Sequence, residues 1–171
     1  MRVACLDLPG FPLQLVWRQE PAWRNQAVVV IDEDRPQGEV LWACERARAA
    51  GVLVGQRYAF ALALCGGLRA CTVSDGQLAE ATTELRTALH RLSPGVEPGE
   101  PGTFWLDGEG LERMFPDPRG PHGRAWGMAI AQALTELGYR GAIAVGFSRF
   151  ATYAIARATR LGVTVLRSDS A

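Results

Sequence analysis

Asp7 is the residue whose position most suggests chemistry. It closes the apolar segment Arg2-Val-Ala-Cys-Leu-Asp-Leu8, and Pro9-Gly10 follows at once. Such a run stopped by Pro-Gly reads as a short buried strand, which puts Asp7 at a strand's carboxyl end. A carboxylate there can hold a divalent cation over a sheet edge, or it can cap the turn. Arginines supply the remaining candidates. Arg48 can grip phosphate through its guanidinium fork, or pair with Glu45 one helical turn away. Arg149, Arg157 and Arg160 follow a later strand at spacings that fit one helical side. That side is either a solvated face or one that contacts a nucleic-acid backbone without reading sequence.

The composition removes several other chemistries. All 18 basic residues are Arg, so a lysine Schiff base, a lysine general base and a P-loop lysine are excluded. Eighteen acidic residues balance them to a formal charge of zero, which argues against binding nucleic acid through bulk charge. Cys5, Cys44, Cys65 and Cys71 form no Cys-x-x-Cys pair, and only His90 and His122 could complete a metal set. They read as free thiols in a reducing cytoplasm. The apolar run Ala27–Ile31 is strand-sized, far short of the roughly 20 residues of a membrane span. Asp7 also stands where a signal peptide needs its apolar centre.

Hydrophobic residues make up 48% of the 171, enough for one core, or a core with a small lobe. A hairpin is predicted from 27–31 and 39–43, and two short helices between Cys44 and Arg69, parted by a turn at Gly51–Gly55. Leu78, Ala81, Leu85, Leu89 and Leu92 define a helix that Ser74 or Asp75 can cap. Pro98, Gly99, Pro101 and Gly102 then interrupt a strand–turn–strand that includes Thr103–Asp107. Trp126, Ile130, Ala133, Leu134 and Leu137 line a second helix ending at Gly138. A strand at 142–147, a helix capped by Ser148 and running to about Arg160, and a strand at 163–166 complete the chain. With 27–72 set aside, the plan is β-α-β-β-α-β, an α+β sandwich. The five tryptophans are expected to pack rather than to stack on bases.

Asp7 with its strand, Ala27-Val-Val-Val-Ile31, Glu45-Arg-Ala-Arg48-Ala-Ala-Gly51-Val52 with Gly55, Trp105-Leu106-Asp107 and Ala144-Val-Gly146-Phe-Ser148 occur in the order found in Y-family translesion DNA polymerases. The chain resembles that family's UmuC-type domain, and among its members the ImuB-type proteins, over nearly its whole length. The resemblance implies a palm of ferredoxin-like type, 1–18 plus 74–171, with an inserted fingers lobe, 19–73. It also implies that the thumb and little finger are missing from this chain. The family's catalysis is two-metal phosphoryl transfer, in which a first-strand carboxylate and an Asp-Glu pair hold cations about 3.5–4 Å apart. Asp7 matches the first. The pair should fall at 102 and 103, where this sequence has Gly102 and Thr103. Phe11, which stands where the family screens the sugar, is followed by Pro12; the fingers Tyr is Glu45; the late Lys falls near Thr159; Arg48 remains as a phosphate ligand.

The resemblance thus implies a catalytically inactive domain acting as an accessory or scaffold in DNA repair or damage-induced (SOS) mutagenesis. Its expected partners are other repair or replisome proteins, with weak nucleic-acid contact through Arg149, Arg157 and Arg160, no membrane and no cofactor. The alternative is an active nucleotidyltransferase using Mg²⁺, with Glu100 or Asp107 as a replacement ligand. On an extended strand these lie roughly 7 Å before Gly102 and about 13 Å beyond Thr103, so rescue requires a bulge, which Pro101-Gly102 permits. A third reading is an α+β domain without any connection to DNA, which the lack of a lobe inserted after the first strand would favour.

Overall fold

Short segments rich in Val, Ile, Ala and Cys make two separate sheets in the computed structural model, which describes residues 2–116 and 123–166. In chain order the elements are β1 (Val3–Asp7), α1 (Phe11–Gln19), β2 (Val28–Ile31), β3 (Val40–Ala43), α2 (Glu45–Ala49), α3 (Tyr58–Leu64), β4 (Arg69–Cys71) and α4 (Asp75–Leu89). β5 (Val96–Pro98), β6 (Thr103–Asp107), α5 (Arg124–Glu136), β7 (Ala142–Gly146), α6 (Arg149–Ala158) and β8 (Gly162–Val165) follow. Packing divides them into two compact units, one from the described residues of 1–9 and 81–171, the other from 10–80.

The first unit is a five-stranded sheet in the order β5-β6-β1-β7-β8. β1 lies at its centre, antiparallel to both β6 and β7, and β8 runs parallel to β7. Chain order combined with this strand order is the split β-α-β arrangement expected from the sequence. Alternation along the strands sorts side chains onto two faces. Ala4, Leu6, Phe104, Leu106, Ile143 and Val145 are buried. α5 packs on their side, so closely that a Cβ on Gly127 would come 2.5 Å from Val163 Cγ1. Trp126 Nε1 donates to the Leu92 carbonyl and ties α5 to the chain following α4. Leu85 and Leu89 on α4, with Ile130 and Leu134 on α5, are fully buried, each worth about 1.5–3 kcal/mol of apolar transfer. Ser74 and Gln77 exchange side chain-to-backbone hydrogen bonds at the start of α4, a reciprocal cap that fixes where the helix begins.

The opposite face is thinner. Cys5 and Ala144 meet Ala156 of α6, flanked by Trp105 and Tyr153. α6 starts where Ser148 Oγ accepts from the Ala151 N–H.

The second unit is a three-stranded sheet, β3-β2-β4. β2 and β3 form the expected hairpin, with a register shift at Val30/Ile31, and β4 adds a parallel strand on the other side of β2. Val28–Ile31, Val40, Ala47, Val52 and Ala61 build its core. Cys44 serves as a cap: its Sγ accepts from the Val28 and Ala47 N–H groups at 3.2 and 3.5 Å. Trp42 departs from the expectation that tryptophans pack, with 42% of its surface exposed, whereas Trp126 is buried. The four cysteines are free thiols. Among the described residues no helix is long and apolar enough to cross a membrane.

Candidate functional site

β1 delivers Asp7 to the end of the central strand of the first unit, between Thr103 on β6 and Ala142 on β7. The ladder continues one residue further, because the Leu8 N–H donates to the Gly102 carbonyl at 2.9 Å. Thr103 Oγ1 donates to Asp7 Oδ1 at 3.2 Å, and Thr103 is only 1% exposed. The position facing the acid therefore carries a neutral hydroxyl, and Gly102 beside it offers only backbone. Gly102 has φ +90°, which favours glycine and disfavours any side chain there.

Gly99–Gly102 is not extended strand but the tight turn joining β5 to β6. The Gly99 N–H donates to the Thr103 carbonyl and the Thr103 N–H donates to the Glu100 carbonyl. Within this turn Glu100 reaches the same guanidinium as Asp7: Arg157 Nη1 lies 3.6 Å from Asp7 Oδ1 and 3.6 Å from Glu100 Oε2. Asp107, in contrast, is in register with Val3 at the far end of β1 from Asp7. That is a separation of about 13 Å along the strand. Its Oδ1 accepts from the Glu109 N–H at 2.9 Å, so Asp107 is no replacement ligand for this site.

The arginines divide. Arg149 grips Glu97 through two hydrogen bonds at 2.8 and 2.9 Å and lies over the Trp105 ring, 4.8 Å from its centroid. Arg157 lies over Tyr153, whose ring stacks on Trp105 at 5.8 Å. Arg160 lies two residues past the end of α6. All three are exposed, and the first two also face acids of the same unit. In the second unit, Arg48 is exposed on α2, and Phe11 opens α1 with 1% of its surface exposed. Sequence reasoning missed the chain Arg149–Trp105–Tyr153–Arg157. Its signal was the four-residue spacing of Tyr153 and Arg157 on one helix.

Burial pushes the Asp7 carboxyl above its ordinary pKa; Arg157 and the Thr103 hydroxyl oppose the rise and Glu100 adds to it. Cys5, two residues earlier on the same strand face, has a thiol pushed up to about 12, first by burial and then by the Asp7 charge.

Two divalent ions a few ångströms apart need several anionic oxygens to offset their mutual repulsion. Asp7 supplies one carboxylate, Thr103 a neutral hydroxyl, and Gly102 a carbonyl already engaged by the Leu8 N–H. A guanidinium stands beside the acid. Among the described residues no group of three or more His, Cys, Asp and Glu could hold a metal. This donor set does not fit a pair of divalent cations.

A split β-α-β sheet with an acid closing its central first strand, and a small α/β lobe inserted after that strand, is the palm-and-fingers class of domain. The family model described as impB/mucB/samB matches residues 6–156, and the chain belongs to that family. It is similar in fold to the insertion ternary complex of Dbh DNA polymerase, with TM-score 0.81 and 18% identity over 98% of this chain and 49% of that one. DinB from Sulfolobus solfataricus gives 0.82 and 18%, with the same coverage. A Y-family chimera, Dbh-Dpo4(243-245)-Dbh, gives 0.79 and 18% over 96% and 49%. The chain thus spans about half the length of these solved structures. No curated protein sequence gives a significant match.

Proposed function

We propose that this chain is a UmuC-like palm-and-fingers domain of ImuB type that has lost polymerase chemistry. It acts as an accessory or scaffold in DNA repair or damage-induced mutagenesis in the cytoplasm. The first unit corresponds to the palm and the second to the fingers. The observation that carries the reading is the pairing of Asp7 with a neutral Thr103 and a cationic Arg157, where metal chemistry needs further carboxylates. It works through contacts with repair or replisome proteins and weak, salt-sensitive contact with nucleic acid. Zero net charge supports that weakness, as does the commitment of Arg149 and Arg157 to internal acids. Primer extension by the chain with Mg²⁺ and with Mn²⁺ tests the proposal. No incorporation above background is expected, and robust incorporation abolished by Asp7→Ala would refute it.

One observation favours a second reading, in which Glu100 acts as replacement ligand in an active nucleotidyltransferase: Glu100 and Asp7 share the same guanidinium nitrogen. Calorimetric titration with Mg²⁺ and a deoxynucleoside triphosphate separates the two. Tight, metal-dependent binding supports the enzyme, and absence of heat supports the scaffold.

A further inference from the structure

Asp7 and Glu100 come from distant parts of the chain, yet one Arg157 nitrogen lies 3.6 Å from an oxygen of each. Those two oxygens are therefore no farther apart than twice that distance. The guanidinium has an aromatic neighbour as well. It lies 5.7 Å from the centroid of the Tyr153 ring, one turn earlier on α6, and that ring is stacked on Trp105 of β6.

We propose that Arg157 is the resident cation of this site: its guanidinium fills, from within the chain, the place between Asp7 and Glu100 that a divalent ion would have to enter. The inference rests on the reading of the domain as inactive and gives that loss a structural device beyond the missing acids. Around that place stand Thr103 Oγ1, 3.2 Å from Asp7 Oδ1, and the two carboxylates, each with an oxygen 3.6 Å from Arg157 Nη1. A divalent ion entering it meets a fixed positive charge at close range and must displace it. Removing that charge while keeping the acids converts an arginine-filled clamp into a single divalent-cation site.

Mn²⁺ titration of the whole chain, reading free Mn²⁺ by electron paramagnetic resonance, tests this. The unaltered protein and Arg157→Lys, which retains a cation, are expected to take up no Mn²⁺ at this site in the sub-millimolar range. Arg157→Gln is expected to gain one equivalent, bound at least tenfold more tightly, and to lose it when Asp7→Asn or Glu100→Gln is added. Thermal unfolding confirms that each variant is folded; Arg157 is half-exposed, so its replacement leaves the core intact. An Arg157→Gln protein that binds Mn²⁺ no better than the unaltered one overturns the inference, as does an unaltered protein whose Mn²⁺ site vanishes with Asp7→Asn. The parallel primer-extension assay on the unaltered chain keeps the outcomes separate. An inactive chain whose Arg157→Gln form gains no site sinks this inference alone, whereas incorporation by the unaltered chain sinks the functional reading beneath it.

Discussion

Placing a carboxylate at position 103 should make the protein depend on metal for stability. Thr103 is 1% exposed, directly opposite Asp7, and its hydroxyl donates to the Asp7 carboxylate. Thr103→Glu removes that donor and sets a second negative charge beside the first. Two unit charges about 4 Å apart repel by about 4 kcal/mol at an effective dielectric near 20. Arg157, half-exposed, offsets part of this, and protonation of one carboxyl limits the rest. A net loss of about 2–4 kcal/mol at neutral pH follows, which lowers Tm by very roughly 5–10 °C in a domain of this size. Once a divalent ion can bridge the two acids, Mn²⁺ at about 100 times its Kd returns about 2.7 kcal/mol. Urea unfolding followed by circular dichroism, with and without Mn²⁺, measures both quantities. The unaltered protein should show no metal-dependent gain. A Thr103→Glu protein as stable as the parent without metal, or a parent whose own stability rises with Mn²⁺ through Asp7, would refute the reasoning.

Other expectations follow from the same geometry. Burial holds the folded-state pKa of Asp7 above its unfolded value, so the stability this group contributes is complete below the ordinary carboxylate range and is lost as pH rises through the folded pKa. Asp7→Asn does not titrate, so its stability relative to the parent should increase between about pH 3 and pH 7 in urea unfolding; a constant difference would contradict the assignment. Gly99→Ala would drive a Cβ into Trp105 Cζ3, and should cost about 1–3 kcal/mol and shift tryptophan fluorescence as the Trp105–Tyr153 stack moves. Ser74→Ala removes one half of the reciprocal cap on α4 and should cost about 0.5–2 kcal/mol in thermal unfolding, with Ser74→Thr close to the parent. The Cys5 and Cys71 thiols, pushed up to about 12 and about 11, should resist alkylation at about pH 8 in the folded chain, and mass spectrometry should find both labelled only after denaturation.

The elements were legible in the sequence where a period or a stop signal was strong. Leu85 and Leu89 at helical spacing, Ser148 as a cap, and the Pro-Gly breaks around 98–102 each marked local structure that the fold contains. α1 gave no such signal. Phe11-Pro-Leu-Gln-Leu-Val-Trp17 has apolar residues on most sides, and Pro12 is compatible with a helix only because it falls in the first turn. β4 is three residues long and pairs in parallel with β2, some 40 positions earlier, a pairing no local pattern encodes. The site was legible as a deficit, since Gly102 and Thr103 stand where acids were expected, but not as a set of contacts. That Thr103 faces Asp7 required the β1–β6 register. The turn around Gly99–Gly102 was legible, but that it carries Glu100 to Arg157 required the fold. Arg149 finds Glu97 52 positions away in sequence, so a helical spacing alone showed the exposed face but not the acids it meets.

At the end of β1, on the reading proposed above, Asp7 faces the Arg157 guanidinium and holds no metal pair. Anomalous diffraction from crystals of the unaltered chain grown with Mn²⁺ tests it most directly. No manganese peak is expected at Asp7, and the Arg157 side chain is expected between Asp7 and Glu100. One or two peaks within bonding distance of the Asp7 carboxylate, with Arg157 swung away, would contradict it.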